Sequence, residues 1–293
     1  MSAGETKELT TTTTTTQEDG GGGGGGLVIN TAPSLASRLN QRADLLRRIF
    51  SFHKTRNPKH YINLRSSSKL FHRALHQPPP LWTSFPCSNH ATLQSLVNRL
   101  EELRGDEESS GNVPSVLFIE EGNYRGEGGY VTMKKPLSMY GAGCGKTTLV
   151  GVGLSIEGNK SDGIVEIQDL KIKGGEREGL VAFEGMKVIM RGCTIEECED
   201  YGMYAYGADI TCDDLQVIGC GWSGVCAVDN ATITLSGQST SIQGNGTKGR
   251  SSSYGLDAYN SSSSIHLVPP LTKEQISKNN GGGGNWGGDG TIR

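Results

Sequence analysis

The chain has 293 residues, room for one large domain or two small ones. Its net charge of −3 conceals two regions of opposite sign, and no apolar run approaches the roughly 18 residues of a membrane span. Seven cysteines, an odd number, do not make a fully paired disulfide framework and fit small core hydrophobes in a reducing compartment.

Residues 1–33 read as a disordered arm. Thr10 to Thr16 is a threonine run and Gly20 to Gly26 a glycine run, and neither holds enough apolar surface to offset the entropy of ordering it. No charged start leads into an apolar stretch, so no secretory signal is expected and the expected location is cytoplasmic or nuclear. From Ser34 to Leu100 there are eleven Lys and Arg against one acid, Asp44, whereas from Glu101 onward 26 acids face 16 basic residues. Two surfaces of opposite sign imply two jobs.

Residues 34–86 read as a small helical module. Ser34 is a candidate N-cap, and Leu35, Leu39, Leu45, Leu46, Ile49 and Phe50 follow at helical spacing. A break at Lys54 to Pro58 precedes a second helix from Tyr61 to Leu75, stopped by Pro78, Pro79 and Pro80. About fifty residues hold too little core to be stable alone, which suggests completion against a partner. The string Asp44 to Phe52, then Asn63-Leu64-Arg65, Ser68 to His72 and Leu81-Trp82, resembles an F-box. That resemblance implies docking onto the adaptor subunit of an SCF-type ubiquitin ligase, with Leu45, Leu46, Ile49, Phe50, Leu64, Leu70 and Trp82 in the hydrophobic contact. Three departures stand out: Gln41-Arg42 replaces the usual Leu-Pro, Ser67 replaces a Val, and the loop His53 to His60 is long and basic. Two other readings of the same residues are a helical cap packed on the next domain and a basic nucleic-acid module. The second lacks aromatic interleaving and a recognition-helix motif, so no nucleic acid is expected.

Leu93, Leu96, Val97, Leu100 and Leu103 then form one helical stripe, suited to plugging the open end of a stack. Val116 to Tyr124 reads as a strand entering a turn, and Pro136 to Gly141 as another. Beyond them a phrase repeats. Counting back from Gly179, Gly202 and Gly224, Val165, Val188 and Ile210 stand at minus fourteen, and Ile167, Met190 and Cys212 at minus twelve. Ile172, Ile195 and Val217 stand at minus seven, and Gly175, Cys198 and Cys220 at minus four. The same ruler on Gly163 collects Leu149, Leu154 and Ile156, and on Gly249 it collects Leu235, Ile242 and Asn245. A second echo sets Tyr201 to Tyr206 against Tyr254 to Tyr259. Apolar and polar residues alternate within each copy, and a unit of about 22 residues buries its apolar face only by stacking on its neighbours. The expected fold is mainly β: a short right-handed parallel β-helix over residues 89–270, of four to five rungs, with an N-terminal cap helix. Residues 89 to about 268 resemble the pectin-lyase-like β-helix family, some of whose members are polysaccharide lyases and hydrolases. Residues 271–293 are a Gly-rich tail, read as a loose cap or a further rung.

Gly141-Ala142-Gly143-Cys144-Gly145-Lys146-Thr147-Thr148 is one residue short of a phosphate loop, and a strand pattern rather than a helix follows, so a tight turn is expected. Asp209, Asp213 and Asp214 fall on outward positions, with Lys187 and Arg191 one rung before Asp209 and Asp213, and Lys173 before Glu196. At about 4.8 Å per rung these read as weak, exposed ion pairs. His53, His60, His72, His76 and His90 form no recognisable ligand set, so no metal and no cofactor is expected. An adaptor-docking motif joined to a repeat surface implies a non-catalytic substrate receptor whose β-helix binds a protein target. The rivals are a repeat scaffold binding protein or glycan with no ligase link, and a carbohydrate-active enzyme using Asp213.

Overall fold

The structure, a computed structural model, describes residues 82–105, 113–158 and 163–293. The chain forms a parallel β-solenoid, mainly β as expected, entered through β1 (Trp82–Phe85) and α1 (Leu93–Gly105). Seven three-strand rungs follow. They are β2 (Val116–Ile119), β3 (Gly122–Arg125), β4 (Tyr130–Met133); β5 (Ser138–Gly141), β6 (Thr147–Val150), β7 (Gly153–Ile156); and β8 (Ile164–Gln168), β9 (Lys171–Lys173), β10 (Leu180–Ala182). Next come β11 (Lys187–Arg191), β12 (Thr194–Glu196), β13 (Met203–Tyr206); β14 (Asp209–Asp213), β15 (Gln216–Ile218), β16 (Val225–Val228); and β17 (Thr232–Ser236), β18 (Ser241–Gln243), β19 (Tyr254–Ala258). The last is β20 (Ser264–Leu267), then α2 (Lys273–Ile276), β21 (Ser277–Lys278) and β22 (Gly284–Gly287), before a final β23 (Thr291–Ile292). Every neighbouring pair of strands in these sheets is parallel, giving a first sheet of nine strands and a second and third of seven each.

The registers explain the alternation in the sequence. Val165, Val188, Ile210, Ile233 and Ile265 stack in one inward column of the first sheet. Ile172, Ile195, Val217 and Ile242 stack in the second sheet. All are buried, and each aliphatic side chain removed from water contributes about 1.5–3 kcal/mol as an upper bound. Two backbone positions recur with the rung. The residue leaving the first sheet is left-handed at Asp169, Gly192, Asp214 and Gly237, and the residue leaving the second is left-handed at Gly174, Glu197, Gly219, Gly244 and Asn279. Glycine, Asn and Asp tolerate that conformation; Glu197 is the exception among them.

The fold departs from expectation in three ways. The solenoid runs to seven complete rungs rather than four to five. The anchors equivalent to Gly179, Gly202 and Gly224 are Gly153 and Gly255, not Gly163 and Gly249, because Leu154 pairs with Leu180 and Leu256 with Val225. Corner lengths vary, so a fixed-length ruler slips at both ends, while the echo of Tyr201–Tyr206 in Tyr254–Tyr259 keeps true register. Third, the first sheet already begins at Trp82, inside the segment read as helical, since Trp82-Thr83-Ser84-Phe85 pairs with Val116–Ile119. The Gly-rich tail is a further rung, one of the two readings of it, with Ile276 buried and Trp286 paired to Leu256. At the other end α1 plugs the stack as expected, burying Leu93, Leu96, Val97 and Leu100. Gln94 Oε1 accepts the Thr132 amide at 2.8 Å, fixing the helix over β4. The segment from Gly141 to Thr148 is a turn leading into strand β6, as expected for that near-miss phosphate loop.

Candidate functional site

Each rung passes from the third sheet back to the first through a short corner. Four successive corners line an open groove of about 790 Å³, formed by Glu157, Gly158, Phe183, Glu184, Gly185, Gly207, Asp209, Asp229 and Asn230. Local sequence sets these corners. Phe183 to Met186 closes with a Met186 N–H to Phe183 carbonyl bond of 3.1 Å, and Gly185 at φ 80° gives the pattern of a type II turn. Val228 to Ala231 closes at 3.2 Å around Asp229 and Asn230, both left-handed at φ 52° and 65°, a type I′ pattern suited to those two residue types. Gly207 forms the floor. A Cβ there would lie 3.1 Å from Glu184 Cγ and 3.3 Å from the Asp229 carbonyl oxygen.

Among the described residues the groove is lined by four carboxylates and no Lys, Arg or His, and the exposed Lys187 stands beside it, paired in register with Asp209 as expected. Asp229 is held in place, its Oδ1 accepting Asn260 Nδ2 at 2.6 Å. The Tyr206 hydroxyl hydrogen-bonds to Asp229 as well, which pushes the Tyr206 pKa up. Beside the carboxylates runs a row set by strand register. Tyr206 pairs with Val228, Phe183 follows the Ala182–Ala205 pair, and Tyr259 follows the Ala227–Ala258 pair. Phe183, Tyr206, Val228 and Tyr259 thus succeed one another at about 4.8 Å per rung. Phe183, Tyr206 and Tyr259 are 40%, 39% and 56% exposed, with Val228 at 7% between them. Aromatic side chains left this open in register are a contact surface without a partner.

A second group of polar residues lies on the same sheet but is closed. Val181, Tyr204, Cys226 and Asp257 stack on its outer face, yet Asp257 is only 2% exposed. The insertion between Gly246 and Ser253 carries Arg250 to 4.1 Å over the Trp222 ring, and Trp222 meets Tyr201 edge-on at 5.0 Å. Ser223 Oγ donates to Asp257 Oδ2 at 2.8 Å and the Cys226 thiol also bonds the carboxylate, while Oδ1 accepts no hydrogen bond. Burial pushes the Asp257 carboxyl up to about 6, against the lowering effect of its two donors. It pushes the Cys226 thiol well up too. At 2% exposure this carboxylate is closed to solvent, and its raised pKa bears on stability.

Of the adaptor-contact residues expected from sequence, Leu45, Leu46, Ile49, Phe50, Leu64 and Leu70 lie outside the described residues. Trp82 is described through its backbone, which opens β1 opposite Val116. The three outward aspartates do not come together. Asp209 lines the groove, whereas Asp213 accepts Ser236 Oγ at 2.9 Å and Asp214 accepts the Ser239 amide at 2.9 Å at the far corner. Four residues along a strand separate Asp209 from Asp213 by about 13 Å. A glycosidase carboxylate pair stands roughly 5–10 Å apart. The expected stacking of Arg191 before Asp213 holds in register, but the guanidinium turns to Glu166 at 3.5 Å. Lys173 does meet Glu196, at 3.0 Å. Of the cysteines read as core, Cys193, Cys198, Cys212, Cys220 and Cys226 are buried and Cys87 and Cys144 are partly so. Among the described residues no three His, Cys, Asp or Glu side chains form a group able to hold a metal ion, and no helix is long and apolar enough to cross a membrane. Sequence reasoning missed Glu157, Phe183, Glu184 and Asp229; the echo of Tyr206 in Tyr259 was the one signal pointing to this corner.

Residues 150–270 match the family model of a right handed beta helix region. The match covers the rungs from the end of β6 past β20, which includes the whole groove. No curated protein sequence matches the chain. Among solved structures, the catalytic domain of a GH87 alpha-1,3-glucanase in complex with nigerose is similar over 64% of this chain, at 12% identity and a TM-score of 0.26. The chain spans 45% of that domain's length. The A-module of an Azotobacter vinelandii mannuronan C-5 epimerase is similar over 69% of this chain and 92% of its own length, at 12% identity and a TM-score of 0.17. At these values neither likeness assigns an activity.

Proposed function

We propose that this chain is a non-catalytic recognition subunit of an SCF-type ubiquitin ligase, with the β-helix as the surface that takes a protein target. The observation that carries the reading is the exposed Phe183–Tyr206–Tyr259 row beside an acidic groove on a rigid stack. Such a surface offers contact area and charge without a paired acid and base facing one bond. The resemblance of Asp44 to Trp82 to an F-box supplies the link to the ligase core, and the chain then acts by raising the target's effective concentration near the ubiquitin donor.

The test is a pull-down of the purified adaptor subunit by the full chain and by its Leu46→Glu variant. Binding that the substitution removes supports the ligase link. Equal binding by both, or none by either, overturns it and leaves a β-helix that binds its target without a ligase.

A further inference from the structure

Resting on the reading of the β-helix as a recognition surface, we propose that the groove takes an extended, arginine-rich segment of the target, with basic residues at alternate positions. Charge selects the sign of the ligand. Among the described residues Glu157, Glu184, Asp209 and Asp229 project from four successive corners against Lys187 beside Asp209, so an anionic ligand such as a polyuronate meets net repulsion. The four carboxylates are strung along the stack, and among the described residues they belong to no group able to hold a metal ion, so a compact cation does not satisfy them. An elongated polycation does.

The aromatic row is independent of the charge and narrows the class further. Guanidinium and ammonium groups both sit over aromatic faces, but only the guanidinium also pairs with a carboxylate through a planar fork. Phe183, Tyr206 and Tyr259 provide such faces next to Glu184, Asp209 and Asp229. Length also agrees. Three rung steps separate Phe183 from Tyr259, about 14 Å at strand spacing, and an extended peptide covers about 13.5 Å in four residues. Residues i, i+2 and i+4 of such a peptide face one side, so three arginines at alternate positions span the row once. Backbone order favours binding at the corners 183–186 and 228–231, which are tight turns closed by their own hydrogen bonds.

The experiment is a fluorescence-anisotropy titration of the full chain with a labelled, end-blocked Arg-Ser-Arg-Ser-Arg peptide, beside a Glu-Ser-Glu-Ser-Glu peptide and a neutral glucan oligosaccharide. The expected result is saturable binding of the arginine peptide alone, weakening as salt is raised. Glu184→Gln, Asp209→Asn and Tyr259→Ala are each expected to weaken it about two- to five-fold, and Glu184→Gln with Asp209→Asn roughly tenfold. All three sites are exposed, and unchanged thermal melting of each variant shows that the fold is intact. Equal binding by the double variant, preference for the acidic peptide or the oligosaccharide, or no binding overturns the proposal. The two readings fail separately. Leu46→Glu should leave peptide binding unchanged, and the groove variants should leave adaptor binding unchanged.

Discussion

The third sheet carries two sets of carboxylates, and their fates differ. At its corner with the first sheet, Glu184, Asp209 and Asp229 stay in water around an open groove. On its outer face Asp257 is buried, bonded by Ser223 and Cys226, with one oxygen unpartnered. Both sets sit on the same repeating backbone. Stacking therefore decides where a side chain stands, and the corner loops decide what it can do there. At the groove the charge stays available for a ligand; on the packed outer face a carboxylate becomes a stability problem.

The largest effect is expected in the core that both sets share. Ile195→Ala, in the middle of β12, should cost about 3 kcal/mol by chemical denaturation, whereas Phe183→Ala in the open groove should cost under about 0.5 kcal/mol. A comparable loss at both sites would mean that the aromatic row is packed rather than open. The pH dependence of Asp257 gives an effect of similar size. Its folded pKa of about 6 lies above the unfolded value, so the stability it contributes is fully present below about pH 4 and lost as pH rises through 6. Relative to wild type, Asp257→Asn should therefore gain stability between pH 4 and pH 7, by up to about 3 kcal/mol. A flat difference across that range would show that the carboxylate is not sealed. The smallest effect concerns the left-handed corner positions. Glu197→Gly should stabilise by about 1 kcal/mol, because its neighbours Gly174 and Gly219 already hold that conformation without strain. The lost Lys173–Glu197 pair is exposed and offsets little of this gain.

Much of the solenoid was legible because stacking demands repetition. Val165, Val188 and Ile210 share a column in the structure as they do in the sequence, and so do Ile172, Ile195 and Val217. The rungs at both ends were harder, since the anchors Gly153, Gly179, Gly202, Gly224 and Gly255 are spaced 26, 23, 22 and 31 residues apart. A glycine falling near the average spacing, such as Gly249, captures the ruler although its backbone lies in an insertion. The groove was hidden for a different reason. Glu157, Glu184, Asp209 and Asp229 are ordinary surface acids one by one, and their shared sign has meaning only once four corners are laid side by side. Asp257 carried no sequence signal either, because it stands on an outward position of its strand and its burial shows only once Ser223, Cys226 and the last rung at Gly287 and Gly288 are laid beside it.

The most direct test of the groove as the recognition surface is hydrogen–deuterium exchange of the full chain with and without the Arg-Ser-Arg-Ser-Arg peptide. The account expects added protection confined to the corners at 183–186, 206–209 and 228–231. Protection elsewhere on the solenoid, or none at saturating peptide, would contradict it.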